Sequence, residues 1–136
     1  MAVNTKTEYA LRSLLEIADM GHLSAQKICE RQKLPKKYIE HLLALLKSAG
    51  LVKSNPGSAG GYSLSRKPEE ISFLDVLHAV RDESYATACN HQHGKFCMGE
   101  GCTLSPFFTE LEGRLDEIFK SYSLRDIISI WEGKTI

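Results

Sequence analysis

Apolar residues in the first third of the chain recur at the spacing of α-helical faces. Between residues 7 and 19 they line one side of a predicted first helix, which Gly21 terminates. The apolar positions on that side are Leu11, Leu14, Leu15 and Ala18. Ser24 is a suitable N-cap for a second, shorter helix that extends through Gln32, with Ile28 as its inward anchor.

A third helix is predicted from Pro35 to Ala49. Proline fits the first turn of a helix because its missing N–H has no partner there, and Gly50 ends the segment. The inward positions of this helix are Ile39, Leu42, Leu43 and Leu46. Its opposite face consists of Lys36, Lys37, Glu40, His41, Ala44, Lys47 and Ser48. The third helix therefore has one face for a core and one polar, mostly basic face for a partner.

Two short segments after the third helix, residues 51–54 and 62–65, alternate apolar and polar positions. They flank a stretch rich in turn-forming residues, so together they predict a β-hairpin. Three short helices followed by a hairpin is the element order of a winged helix-turn-helix. The predicted fold is mainly α with a small β-hairpin wing, and the third helix is the one that would enter a DNA major groove.

The second half of the chain combines helices with an aperiodic loop. Ser72 begins a fourth helix with Asp75 at the capping-box position, whereas residues 85–105 show no periodicity. Apolar residues then follow a heptad seam: Leu104, Phe108, Leu111, Leu115, Ile118 and Tyr122. Such a seam predicts a long C-terminal dimerisation helix, the alternative being a stripe that packs on its own domain. We expect a DNA-binding domain over residues 1–67 and a sensor loop with dimerisation helices over residues 68–136.

The formal net charge of zero conceals a strong asymmetry. Residues 1–67 contain 11 Lys or Arg against 5 Asp or Glu, a net of +6, and residues 68–136 contain 6 against 12, a net of −6. A basic half suits a polyanion such as DNA. No apolar run is long enough to span a membrane, and the polar N-terminus lacks a signal peptide, so we expect a cytoplasmic protein with reduced thiols. We find no nucleophile–base pair and no phosphate-binding glycine loop, which argues against an enzyme.

Three of the four cysteines lie in one glycine-rich stretch. Cys89, Cys97 and Cys102 have the spacing C-x7-C-x4-C, and thiolates are soft ligands that suit zinc and iron–sulfur centres. Three thiolates leave a fourth position, which His91, His93 or a carboxylate from elsewhere could fill. Cys29 lies apart from them, on the second helix, and is predicted to be a small core residue.

Several blocks, in order, resemble the Rrf2 family of bacterial winged helix-turn-helix regulators, which has IscR-, NsrR- and RirA-like branches. The resemblance covers nearly the whole chain. It rests on residues 9–12, 34–40, 49–52, 60–64, 71–72, the cysteine-rich loop and residues 123–126. It implies a homodimer with long crossed helices, and a cluster near the partner's first helix that controls binding to double-stranded operator DNA.

The resemblance also implies which residues act. Ser105 replaces the histidine ligand of IscR-like members, and the cysteine spacing is similar to the RirA branch, which favours a 4Fe–4S over a 2Fe–2S cluster. Glu8 occupies the position of the NsrR-type carboxylate ligand, which the other subunit supplies. Pro56 replaces an arginine of the wing that is suited to the minor groove.

The resemblance and the outer face of the third helix together give a predicted DNA-binding set. Glu40 matches a position that the family uses to read bases, where a carboxylate can accept from cytosine. Lys36 and Lys47 are expected at phosphates. The full predicted set is Lys36, Lys37, Glu40, His41, Lys47, Lys53, Gly60, Gly61 and Tyr62.

The leading hypothesis is a DNA-binding transcriptional regulator, a repressor, that senses iron, redox or nitric oxide status through an iron–sulfur cluster. The alternative is a winged-helix regulator whose cysteine loop binds structural zinc or acts as a thiol redox switch. A redox or cluster-carrier enzyme is a third hypothesis, and the absence of further catalytic residues counts against it.

Overall fold

Three helices and a hairpin are followed by three more helices in the computed structural model, which describes residues 4–57, 60–85 and 101–133. The elements are α1 (Thr5–Met20), α2 (Ala25–Gln32), α3 (Lys36–Ser48), β1 (Val52–Asn55), β2 (Gly61–Leu64), a 3-10 helix (Pro68–Glu70), α4 (Phe73–Ala79), α5 (Ser105–Ser121) and α6 (Leu124–Trp131). The predicted fold class, mainly α with a β-hairpin wing, is confirmed. Sequence analysis did not predict the 3-10 helix or α6.

Side-chain caps fix where several helices begin. The Asn4 side chain accepts from the N–H of Thr7 at 3.1 Å at the start of α1, and Ser24 accepts from Lys27 at 3.1 Å at the start of α2. The predicted capping box of α4 is present, because Ser72 and Asp75 each accept from the other's backbone N–H. These caps satisfy N–H groups that the first turn of a helix leaves unpaired.

The hydrophobic core lies beneath α3. The four predicted inward residues of α3 are fully buried, and they meet α1 through Leu14 and Ile17. The same cluster includes Ile71, Val76 and Val80 from the second half of the chain. The core therefore runs across residue 67, and the division into two domains at that residue remains a prediction.

A short backbone pairing brings the last helix back to this core. The N–H of Phe73 donates to the Tyr122 carbonyl at 2.8 Å, and the N–H of Leu124 donates to the Ile71 carbonyl at 2.7 Å. Helices α4 and α6 therefore start side by side. Leu124, which begins α6, is 1% exposed and belongs to the core cluster.

The heptad seam on α5 faces away from the core. Leu104, Leu111, Ile118 and Tyr122 are 38–56% exposed, and Phe108 and Leu115 are half-buried. Phe119 of α5 packs inward: it is 4% exposed and meets the Phe73 ring edge-on at 5.4 Å between centroids. Helix α5 thus packs on its own chain with one face and leaves the seam accessible to solvent in the described residues.

The wing is joined to the helical layer by a backbone bridge. Strands β1 and β2 are antiparallel, with Val52 opposite Leu64 and Asn55 opposite Gly61. Leu23, between α1 and α2, exchanges two backbone hydrogen bonds with Tyr62, at 3.0 and 2.7 Å. Gly61 has φ +122°, and a Cβ on it would lie 2.6 Å from the Leu23 carbonyl oxygen. The close approach of these two backbones requires glycine at position 61.

No helix within residues 4–57, 60–85 and 101–133 combines the length and the apolar character needed to cross a bilayer.

Replacement of Gly61 by alanine is expected to lower the free energy of unfolding by more than about 1 kcal/mol, because both the positive φ and the contact with Leu23 oppose a Cβ. Gly113→Ala is the matched control. Its Cβ would meet nothing within 4 Å on α5, so it should raise stability by about 0.5–1 kcal/mol. Urea unfolding of both variants measures the difference, and an unchanged midpoint for Gly61→Ala would contradict this account of the wing.

Candidate functional site

The outer face of α3 is polar and mostly basic. Lys36, Lys37, Glu40, His41 and Lys47 are all exposed, whereas the opposite side of the same helix is completely buried. The structure thus places these five predicted residues on one helix face. A basic helix face of this kind, held on a rigid core, can enter a groove between rows of phosphates.

Within that face, Glu40 is accompanied by a weak ion pair. Its carboxylate lies 4.0 Å from the Lys36 ammonium, one helical turn away, and both side chains are about half exposed, at 51% and 56%. Exposed pairs of this kind add little stability, so both partners remain available to another molecule.

The C-terminal end of α3 is linked to the wing. The Lys47 ammonium donates to the Ser54 hydroxyl on β1 at 3.0 Å. Lys53, which precedes Ser54 on β1, is exposed. This contact holds the basic end of α3 beside the basic strand of the wing. Ser54 had no sequence signal of its own, because the register that brings it to Lys47 is set by the hairpin.

Gly60, Gly61 and Tyr62 have roles inside the fold. A Cβ on Gly60 would lie 2.3 Å from the Asn55 carbonyl oxygen, so that position also needs glycine. The Tyr62 side chain is half-buried and packs against the core cluster. Their predicted contact with DNA stays a prediction, whereas their structural role follows directly from these contacts.

A pair of side-chain contacts holds α2 against α1, and sequence analysis did not find it. Glu16 on α1 accepts from the Arg31 guanidinium and, at 2.6 Å, from the Gln32 amide. Both donors belong to the last turn of α2, which precedes α3. The pair therefore fixes the helix that leads into α3, and only the packing of α1 on α2 brings these charges together.

Two of the four cysteines can be placed. Cys29 is 8% exposed in the core, as predicted, and burial, followed by the nearby charge of Glu40, raises the pKa of its thiol. A raised pKa keeps the thiol protonated and makes it a poor metal ligand. Cys102 is half-buried, and its carbonyl accepts from the N–H of Ser105 at 3.3 Å in the turn that begins α5.

The other predicted loop ligands lie outside the described residues: Cys89, His91, His93 and Cys97. Among residues 4–57, 60–85 and 101–133, no three His, Cys, Asp or Glu side chains converge in a way that could hold a metal ion.

Glu8, the predicted fourth ligand, lies in the first turn of α1. Its side chain is 53% exposed, and its carboxylate accepts from Arg12 at 2.6 Å, one turn further along the helix. The Arg12 guanidinium also lies 5.7 Å from the centroid of the Tyr9 ring. Glu8 is thus directed outward from its own core, and its carboxylate is accessible to solvent.

Asp82 is a buried carboxylate that sequence analysis did not single out. It is 2% exposed and accepts hydrogen bonds from the N–H of Asn4 at 3.0 Å, the Thr7 hydroxyl at 2.5 Å and the N–H of Ser84 at 2.9 Å. Burial raises its pKa, but these donors, which favour the charged form, outweigh burial and hold the pKa of Asp82 below its usual value. A charged group thus joins the N-terminus of α1 to the chain just before the cysteine loop.

Tyr85 makes a corresponding contact with α5. Its ring meets Phe119 edge-on, at 5.0 Å between centroids. Burial, together with the hydrogen bond to Asp116 and the negative charges of Asp116, Glu112 and Asp82, raises the pKa of Tyr85 to about 12. Its hydroxyl therefore stays protonated at neutral pH.

Comparison with known proteins gives one consistent family. The Rrf2 family, described as "Iron-dependent Transcriptional regulator", matches residues 3–130. The transcriptional regulator IscR of Aliivibrio salmonicida is 33% identical over 132 residues, which cover 94% of this chain and 77% of that protein.

Solved structures agree with this result. The structure of T. potens IscR superposes with a TM-score of 0.75 at 26% identity, covering all of this chain and 93% of the other. CymR, the global cysteine regulator of B. subtilis, superposes with a TM-score of 0.73 at 25% identity, covering 96% and 98% of the two chains. These relatives are transcriptional regulators and not enzymes, which confirms the expectation from sequence.

The Asp82 interactions predict an acid-dependent stability. Because the folded pKa of Asp82 is lowered, its contribution is fully present above the unfolded pKa, about 3.9, and is lost as the pH falls through the folded value. The difference in unfolding free energy between wild type and Asp82→Asn should therefore be largest near pH 6 and shrink below about pH 4. Urea unfolding at several pH values measures this, and a difference that does not change with pH would contradict it.

Proposed function

This chain belongs to the Rrf2 family of transcriptional regulators, and we propose that it is a dimeric, DNA-binding repressor that senses iron, redox or nitric oxide status through an iron–sulfur cluster on its cysteine loop. The observation that carries the DNA-binding part is α3, whose inner face is buried and whose outer face presents three lysines, Glu40 and His41. The proposed partner is double-stranded operator DNA, and we therefore propose that the protein acts in the cytoplasm.

On DNA, the outer face of α3 has two roles, contact with phosphates and recognition of bases. Lys36 and Lys47 lie toward the two ends of the helix, where an ammonium group can reach flanking phosphates. Glu40 lies between them, and a carboxylate that faces DNA is repelled unless it accepts a hydrogen bond from a base such as cytosine. Lys37 and His41 flank Glu40, and Lys53 extends the contact along β1.

The homodimer is supported by the seam on α5. Six apolar positions at heptad spacing stay exposed or half-exposed on the described chain, while Phe119 supplies the internal contact. A second copy that pairs seam to seam would remove this apolar surface from water. Two-fold symmetry would also present two α3 helices to two DNA half-sites.

The proposed cluster is supported by the chemistry of its donors and by the iron-dependent description of the family. Cys89, Cys97 and Cys102 offer three soft thiolates, and Cys29 is withdrawn into the core. Glu8 is outward-facing, and its exposed ion pair with Arg12 is a weak competitor for the carboxylate, so a partner subunit's cluster could take it as a ligand. A bound cluster would supply chemistry sensitive to iron supply, oxygen or nitric oxide. The resemblance of the cysteine spacing to the RirA branch favours 4Fe–4S over 2Fe–2S.

The alternative is a cysteine loop that binds zinc or works as a thiol switch. The structural likeness to CymR, a global cysteine regulator, supports considering a signal other than iron. Metal content separates the two, since an iron–sulfur protein purified without oxygen is coloured and a zinc protein is colourless.

Single Cys→Ala changes at positions 89, 97 and 102 should each remove the visible absorbance and the bound iron and sulfide of anaerobically purified protein. Cys29→Ala is the control and should stay coloured, because its thiol is a core residue. Glu8→Ala should make the cluster labile to a chelator, while His91→Ala and His93→Ala should have little effect.

Three results would contradict this ligand set. A folded but colourless Cys29→Ala protein would place a ligand in the core. Loss of the cluster from His91→Ala or His93→Ala alone would favour a local Cys3His set. A colourless wild type with one zinc per chain would favour the structural alternative.

Glu40→Ala is expected to relax base preference at one position per half-site, by about 1–3 kcal/mol of discrimination, because a base-specific acceptor is removed. Lys36→Ala and Lys47→Ala should weaken binding to all sequences alike and reduce the salt slope by about one unit for each phosphate that the variant no longer neutralises. Titrations against a selected duplex and a scrambled duplex at several salt concentrations measure both effects. If Glu40→Ala weakens both duplexes equally, Glu40 does not read a base.

A further inference from the structure

Residues 82–85, here named the junction, connect three parts of the molecule. They follow α4, they contact α1 and α5, and they lead directly into the cysteine loop. Each of these contacts involves a buried or half-buried side chain. The junction is therefore placed where a change in the loop could reach both the DNA-binding layer and the seam helix.

The end of α4 sets the starting position of the junction. The N–H of Arg81 donates to the His78 carbonyl at 3.2 Å, and the N–H of Asp82 donates to the Leu77 carbonyl at 2.9 Å. Arg81 has φ +57°, so the helix ends in a Schellman motif with a residue in the left-handed conformation. The backbone hydrogen bond to Leu77 thus fixes the position of Asp82 independently of its side-chain contacts.

The Asp82 side chain then fastens the junction to α1. One carboxylate oxygen accepts from both the Asn4 backbone and the Thr7 hydroxyl, which lie 78 and 75 residues away in sequence. Asn4 is also the N-cap of α1, and Thr7 is fully buried. The first turn of α1, which carries Glu8, therefore depends on Asp82 as the acceptor for two of its donors.

The other end of the junction is held by α5. The second carboxylate oxygen of Asp82 accepts from the N–H of Ser84. Tyr85 packs on Phe119, and Phe119 in turn packs on Phe73 of α4. Chain order places Cys89 only four residues after Tyr85.

We infer that Asp82 is a positioning residue that couples the cysteine loop to the DNA-binding surface, by holding the first turn of α1 and the junction in one arrangement. The inference rests on the proposed function only in taking the loop as the sensor and DNA as the output. Coupling between two sites is reciprocal, so DNA binding must then alter the loop as much as the loop alters DNA binding. This reciprocity allows a test in metal-free protein.

The test measures alkylation of Cys89 and Cys102 by iodoacetamide, read by mass spectrometry, in reduced metal-free full-length protein. The probe is a DNA duplex that the wild-type protein selects from a random-sequence pool. Because the proposed coupling is reciprocal, bound DNA should favour the intact junction. Bound duplex should therefore slow alkylation of the loop thiols about 5-fold or more, the lower end of typical coupling between sites.

Thr7→Val removes the hydroxyl donor to Asp82 with almost no change in shape, and Thr7→Ser keeps the donor. The ratio of alkylation rates without and with DNA should fall to about 1 in Thr7→Val and in Asp82→Asn, and should persist in Thr7→Ser. Asp126→Asn is the matched control, since Asp126 accepts from the N–H of Ser123 at 2.9 Å in the capping box of α6, away from α1. It should keep the wild-type ratio even if its melting temperature falls.

A ratio near 1 in wild type, with the duplex bound, would overturn the coupling and leave the proposed DNA-binding function intact. A wild-type ratio retained in a folded Thr7→Val protein would remove Asp82 from the coupling. If neither the cluster-loaded nor the metal-free protein selects a duplex from the pool, the proposed DNA binding fails and this inference fails with it.

Discussion

Complete burial of the inner face of α3 is the constraint from which the rest of the structure follows. Ile39, Leu42, Leu43 and Leu46 are inaccessible to water, and each such side chain contributes about 1.5–3 kcal/mol on burial. A 13-residue helix with one apolar face cannot rest on the core in any other rotation. Its lysines, Glu40 and His41 must therefore face outward, and the polar surface of α3 is a direct consequence of the core.

The elements around α3 keep that surface in place. Glu16 holds the end of α2, Lys47 reaches Ser54 on the wing, and the Leu23–Tyr62 backbone pair joins the wing to the helices. Exposed side-chain contacts, such as that between Lys47 and Ser54, are individually weak. Together they fix the directions of α3 and the hairpin, which is what a protein needs in order to meet a DNA groove and its adjacent phosphates.

The second half of the chain shares the core of the first and adds groups that a simple DNA-binding module does not need. The buried Asp82, the protonated Tyr85 and the exposed seam of α5 all lie next to, or near, the two ends of the cysteine loop in sequence. A buried carboxylate is retained only when its hydrogen bonds compensate for desolvation, and Asp82 has three. The residue Asp82, which precedes the loop, thus contacts the start of α1 directly.

Local pattern was enough to determine α1 to α4, the hairpin, the outer face of α3, the burial of Cys29 and the seam, because each depends on the periodicity of a continuous segment. Helix α6 was missed although its sequence carries a start signal: Ser123 and Asp126 form the same capping box as Ser72 and Asp75, and α2, which is also eight residues long, was predicted. Tertiary structure alone decided that Asp82 meets Thr7, that Glu16 meets Arg31, and that Gly61 passes against Leu23. Those contacts join residues far apart in the chain, and their geometry exists only after the helices have packed around the buried face of α3.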